Sequence, residues 1–162
     1  MPPIETLRLY VKTGDVGFPV GADTDGHVYL GVCGREFRIN TPEDDFELGA
    51  GDTIRFGKDD NVENGWLNDP RQPQLFVEQA DQFPVYLRYD PHPRDDDWVL
   101  EHAYVTFNDD SFPMYETLLR GTLQMGHRST LFVHLVKHED TPASSSKDLM
   151  RRVARFIRST DR

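Results

Sequence analysis

Apolar and polar positions alternate with period two over most of the chain. Leu7, Leu9 and Val11 alternate with Arg8, Tyr10 and Lys12. Val28, Leu30 and Val32 alternate with Tyr29, Gly31 and Cys33, and Phe37 and Ile39 with Arg38 and Asn40. Such runs predict half-buried strands with one face inward. Further runs read as strands at Thr53 to Phe56, Gln74 to Glu78, Pro84 to Tyr89, Trp98 to Phe107 and Thr130 to Lys137. Turn residues separate most of them: Gly34-Arg35, Gly49 to Gly51, Asn68-Asp69-Pro70 and Asn108-Asp109-Asp110. Many short strands at this spacing predict an all-β, antiparallel sandwich or barrel. Its expected core includes Val28, Leu30, Val32, Ile54, Phe56, Val85, Leu87, Val99, Tyr104 or its neighbours, and Phe107. Tyr115 to Leu119 fits a helical turn or an irregular crossover.

One segment changes period. Leu149, Met150, Val153, Phe156 and Ile157 form a stripe of helical spacing. Ser145 with Asp148 resembles a capping box, and Thr141-Pro142-Ala143-Ser144 reads as the linker before it. The expected organisation is a sandwich over 1–140, then a linker and a C-terminal basic amphipathic helix over 141–162. The helix is expected to pack on the sandwich rather than stand free as a docking or interfacial helix.

Length and charge narrow the function classes. At 162 residues, 37% hydrophobic and 28% charged, the chain suits one domain with a core. Residues 147–162 carry six basic and two acidic side chains, so that stretch is +4 and the rest of the −10 chain is −14. An acidic body is unsuited to phosphate contacts, so no nucleic-acid partner is expected. No apolar run is long enough to span a bilayer, and no signal peptide is visible, which suggests a cytoplasmic or peripheral membrane location. The single cysteine, Cys33, excludes an intrachain disulfide and reads as inert packing. His134 and His138 fall about 13 Å apart on a strand, too far to share an ion. His27, His92, His102 and His127 read as ordinary histidines. No nucleophile elbow, phosphate loop or dinucleotide glycine pattern occurs, so no enzyme is expected.

The acidic side chains concentrate in three loops attached to strands. These are Asp23-Thr24-Asp25-Gly26, Glu43-Asp44-Asp45-Phe46-Glu47 through Asp52, and Asp90 through Asp95-Asp96-Asp97 before Trp98. Glycines and prolines beside them favour tight turns. A hard cation such as calcium takes six to eight oxygens, and three such loops at one end of a sheet would supply them. Calcium would also cancel the charge that opposes approach to an anionic membrane.

The same stretches carry a family resemblance. Leu9 to Asp15 with its Thr13-Gly14 pair, Asp23-Thr24-Asp25 before Val28-Tyr29-Leu30, Asp45 through Gly49 and Asp52-Thr53, and Tyr89-Asp90 with Trp98 follow the order of the PLAT domain. That β-sandwich module is named for polycystin, lipoxygenase and alpha-toxin. The resemblance spans roughly residues 5 to 109 and suggests a PLAT module standing almost alone. It implies calcium ligands at Asp23 (through its carbonyl), Asp25, and one or more of Asp90, Asp95 and Asp96. A second group would be Asp44, Asp45 and Glu47, with Asp45 and Glu47 on one side if that stretch is extended. Asp23 stands where the family usually has glycine, and Asp tolerates the required backbone angles better than most residues. The resemblance further implies a non-catalytic, calcium-dependent partner of lipid or membrane surfaces; a protein-interaction module is the alternative. Phe18 and Trp66 are the candidate membrane-binding aromatics. Trp66 fits two placements, an aromatic entering lipid or a plug closing the end of the sandwich.

Overall fold

The computed structural model describes residues 1–15, 24–92, 96–110 and 114–138. Among these residues nine strands form, and all of their ladders are antiparallel. They are β1 (Thr6–Thr13), β2 (His27–Val32), β3 (Arg35–Ile39), β4 (Gly51–Gly57), β5 (Val85–Asp90), β6 (Trp98–Phe107), β7 (Tyr115–Glu116), β8 (Leu123–Met125) and β9 (Phe132–Lys137). The strand order is β3-β2-β5-β9-β7-β6-β1-β4, with β8 on the far end of β6. β9 makes the seam between the two sheets. Its first residues pair with β5, Leu87 opposite Val133, and its last with β7, Glu116 opposite Val136.

The alternation read from sequence fixes which side chains face inward. Leu7, Leu9, Val11, Val28, Leu30, Phe37, Ile54, Phe56, Leu87, Leu100 and Val105 are fully buried in one core. Every residue expected in the core is buried. Tyr104 and Val99 are buried apart from that central cluster.

Turn chemistry sets the registers. Cys33 (φ 52°) and Gly34 (φ 75°) are both left-handed, as a two-residue hairpin between right-twisted strands requires. Cys33 was expected on a strand face opposite Val32; it is a turn residue, and both are buried. Burial lifts its thiol to about 11, so little thiolate is present at neutral pH. Asn108 (φ 53°) clamps the first strand: its Oδ1 accepts from the Glu5 and Thr6 amides (2.8 and 3.3 Å) and its Nδ2 donates to Pro3 O (2.8 Å).

Two expectations are corrected. Gln74 to Glu78 is not a strand: only single bridges reach it, and Val77–Asp81 is a 3-10 turn. The Gln79 side chain accepts from the Phe76 amide (2.8 Å) and closes that turn at the expense of a ladder. Tyr115 to Leu119 is neither helical nor wholly irregular, because Tyr115 and Glu116 pair with both β6 and β9. The C-terminal helix lies outside the described residues.

Among the described residues the strand path ends at β3 and β4, and residues of the connection from Gly57 to Val85 bond to both. Asn61 acts as a surrogate strand along β4. Its Oδ1 accepts from Arg55 N (2.7 Å) and its Nδ2 donates to Thr53 O (2.8 Å). Asn68 does the same for β3, accepting from Arg38 N (2.9 Å), and Glu63 N donates to Asn40 O (2.8 Å).

Candidate functional site at the acidic-loop end

The strand directions bring Thr13, Thr24 to His27, Asn40 to Gly51, Asp90 and Asp96 to Trp98 to one end of the sandwich. There the first and third acidic loops are physically joined. The buried Thr24 hydroxyl donates to the Asp96 carboxylate and accepts from the Gly26 amide (2.7 Å). It also lies 2.6 Å from the Tyr89 hydroxyl, which donates to the Asp96 carbonyl (3.1 Å). Burial, with Asp96 alongside, pushes the Tyr89 phenol well above its ordinary range, so it remains a neutral donor. Gly26 is required by space: a Cβ there would fall 2.5 Å from the Tyr89 ring and 3.0 Å from the Asp90 carbonyl.

Asp25 and Asp90 are exposed beside this junction, since His27 of the first loop's strand pairs directly with Asp90. Asp23, Asp95 and Phe18 lie outside the described residues. Asp97 is held away, accepting from Gln124 Nε2 (2.8 Å).

The second loop is built differently from the extended stretch considered above. Phe46 adopts φ 65° and turns inward, buried against Trp98 with ring centroids 5.2 Å apart. Asp45 folds back on Thr41, accepting from its amide and hydroxyl (both 2.7 Å). Asp44 and Glu47 are exposed, and Asp45 and Glu47 no longer share an extended face. Lys12 Nζ donates to the Gly49 carbonyl, tying the loop to β1. Sequence reading did not single out Leu48, which is 51% exposed at the tip between Glu47 and Gly49. Its placement depends on the Phe46 inversion, which no periodicity signals.

Asp52 carries an electrostatic cost. Its Oδ2 accepts from the Phe46 amide (2.9 Å). Burial, reinforced by Asp45, Glu43 and Glu47, nevertheless raises its pKa above the ordinary value. A carboxyl raised in the folded state favours folding at low pH and opposes it as pH rises past the unfolded pKa. Asp52→Asn keeps the acceptor and removes that charge. It should therefore be more stable than the parent at pH 7 and equal to it below the carboxylate range. Urea unfolding at pH 7 and pH 3 checks this, and equal midpoints at both would contradict it.

Trp66 does not plug the sandwich. It sits in a 3-10 turn, Gly65–Leu67, and is 74% exposed, with Leu67 59% exposed beside it. The flanks of this turn are the edge-bound Asn61 and Asn68, so the aromatic is presented on a tethered support. Glu63, near the turn, bonds to Asn40 at the base of the second acidic loop.

Among the described residues, no three Asp, Glu, His or Cys side chains converge as a metal-ligand set, and no helix is long and apolar enough to cross a membrane. The oxygen donors at the first–third loop junction, Asp25, Asp90 and Asp96, are of the kind calcium takes.

The fold and this loop-bearing end define an antiparallel β-sandwich module. The architecture is that of the PLAT type, as two solved structures show. Alpha toxin from Clostridium absonum is similar at a TM-score of 0.56 and 18% identity, over 83% of this chain and 32% of that chain. A lipoxygenase variant, Delta413-417:GS LOX, is similar at 0.51 and 15% identity, over 93% of this chain and 20% of that chain. The chain thus spans about a third and a fifth of those proteins, and the likeness is one of fold. No family model and no curated protein matches the sequence.

Proposed function

We propose that this chain is a non-catalytic module that associates peripherally with a lipid or membrane surface and uses calcium at its acidic loops. The carrying observation is the outward presentation of Trp66 and Leu67 on a tethered turn, with Leu48 at the tip of an acidic loop. Adjoining exposed apolar side chains rimmed by polar residues mark interaction sites more often than single exposed ones do. The acidic loops supply the reason for a cation. Carboxylates at this end would repel anionic headgroups, and calcium held there would neutralise them. On this reading Asp25 and one or more of Asp90, Asp95 and Asp96 would supply carboxylate oxygens, and Asp23 its carbonyl, once calcium draws the loops together.

Sedimentation with phosphatidylserine vesicles tests the reading. The chain should pellet with vesicles in millimolar calcium and stay in solution in chelator. Calcium should also raise the melting temperature, since a ligand bound only by the folded state stabilises it. Asp25→Asn should shrink that rise without destabilising the calcium-free protein. A melting temperature indifferent to calcium would remove the metal, and vesicle binding absent in both conditions would remove the lipid.

A protein-interaction role is the second reading, and one surface favours it. On the outer face of β2, β5 and β9, Arg88 stacks over Tyr29 (4.0 Å), and Tyr86 lies 5.7 Å from the exposed Phe132. Aromatic and arginine side chains of this kind dominate binding hot spots.

A further inference from the structure

The outer face of β3, β2, β5 and β9 carries two rows of side chains set by cross-strand pairing. One row is Arg38, Tyr29, Arg88 and Phe132, and the next is Glu36, Gly31, Tyr86 and His134. Between them runs the inward row Phe37, Leu30, Leu87 and Val133, all buried in the core. Glu36, Arg38, Phe132 and His134 are exposed, and Tyr29, Tyr86 and Arg88 are half-buried.

These side chains brace one another. Arg88 lies over the Tyr29 ring and donates through Nε and Nη2 to the two Glu36 oxygens (2.7 and 2.8 Å). The Tyr86 hydroxyl donates to Glu36 Oε1 (3.1 Å). Its ring lies across Gly31, where a Cβ would fall 2.2 Å from it, and it meets the rings of Phe132 (5.7 Å) and His134 (6.4 Å). Side chains already held in one arrangement lose less entropy when a partner covers them.

We propose that this face pairs with the same face of a second copy, about a two-fold axis that crosses the strands over the row Phe37, Leu30, Leu87 and Val133. Such an axis exchanges the two outward rows. Arg38 of each copy then faces Glu36 of the other, Arg88 faces Tyr86, Phe132 faces His134, and Tyr29 faces Gly31 with the Tyr86 ring across it. These are an ion pair, a cation–π pair and aromatic contacts. Glu36 has room for Arg38: a carboxylate offers about four acceptor sites, and the bonds from Arg88 and Tyr86 use three. Face-to-face sheets with strands nearly aligned are the ordinary packing of a sandwich.

Charge selects the same occupant. The chain carries −10, so two copies repel one another in most orientations. The two rows hold two arginines and one glutamate, a local +1. A uniformly acidic partner would oppose Glu36 and a uniformly basic one would oppose both arginines; a second copy matches both signs. The rows span four strands, about 19 Å, and roughly as far along them, a footprint of a few hundred Å² against the ~800 Å² per partner of a stable complex. The dimer should therefore be reversible and populated only at high concentration. This names a partner for the surface behind the protein-interaction reading and requires neither calcium nor lipid.

Sedimentation velocity of the full chain in chelator, without vesicles, tests this over ~10 µM to ~1 mM. The sedimentation coefficient should rise from monomer toward dimer. Concentration-dependent amide shifts should centre on Tyr29, Tyr86, Arg88, Phe132 and His134. Arg38→Glu and Glu36→Arg should each stay monomeric alone, since each sets like charges opposite one another. Mixed in equal amounts they should associate again, because two acidic side chains then face two basic ones. Phe132→Asp should stay monomeric with its thermal melt unchanged, the ring being 50% exposed. A monomer at every concentration would overturn the proposal while leaving the face open to a different protein. Shifts centred on Leu48, Trp66 and Leu67 would overturn it by moving the contact to the loops. A mixture of the two charge variants that stays monomeric would overturn the two-fold pairing.

Discussion

Replacing Trp98 with alanine should cost about 3–5 kcal/mol, the range for deleting a large buried aromatic. That is a large share of the roughly 5–15 kcal/mol that holds a domain of this size together. Trp98 is completely buried at the start of β6, directly beneath the acidic loops. Its ring meets Phe46 of the second loop (5.2 Å) and Tyr89 at the root of the third (5.8 Å), and its Nε1 donates to Thr13 Oγ1 (3.1 Å). One side chain thus supports loops that are far apart in sequence. Trp98→Phe separates packing from hydrogen bonding: it should cost less than the alanine change, but still about 1–3 kcal/mol for stranding the buried Thr13 hydroxyl. Guanidinium unfolding with circular dichroism measures both. A loss below 1 kcal/mol for the alanine variant would show that the loops do not rest on this ring.

Trp66→Ala should leave stability nearly unchanged and lower vesicle affinity in calcium by ~10- to 150-fold, the equivalent of ~1.5–3 kcal/mol for one large side chain removed from an apolar environment. The separation follows from geometry. Trp66 is 74% exposed and contributes nothing to the core, while its turn is held by Asn61 and Asn68 rather than by its own ring. Tryptophan suits the membrane boundary because its ring is apolar and its N–H polar. Trp66 emission should shift blue on adding vesicles with calcium, while the buried Trp98 supplies a constant background. Comparing parent and Trp66→Ala spectra isolates the change. Equal vesicle affinity for parent and variant would place the contact elsewhere on the molecule.

The fold was legible because most strands are half-buried, so that alternation alone marks their inward residues. Leu7, Leu9 and Val11 show this, as do Val28, Leu30 and Val32. It failed where side chains displaced ladders. The apolar run Gln74 to Glu78 resembles a strand, but the Gln79 carboxamide captures the amide that a partner strand would have used. β7 is only two residues long, too short for any period to be read, although it is the piece through which β9 joins the sheets. In the candidate site, Thr24, Tyr89 and Asp96 join the first and third loops, and neither Thr24 nor Tyr89 was singled out as a site residue by the sequence. The internal use of Asp45 and the inversion at Phe46 were not legible. Both depend on a left-handed φ at a bulky residue, which is unfavourable locally and is offset here by burying the ring against Trp98.

The asparagines along β3 and β4 restrict how anything can bind this protein. An uncovered edge offers backbone amides and carbonyls to any extended peptide, and that is how many modules recruit partners and how sheets begin to polymerise. Here Asn61 occupies Arg55 N and Thr53 O, and Asn68 occupies Arg38 N. Recognition by added strands is thereby blocked at those positions, and so is growth into fibrils from them. At those positions the sandwich offers a partner side chains instead of backbone, and side chains can read a surface without lengthening the sheet.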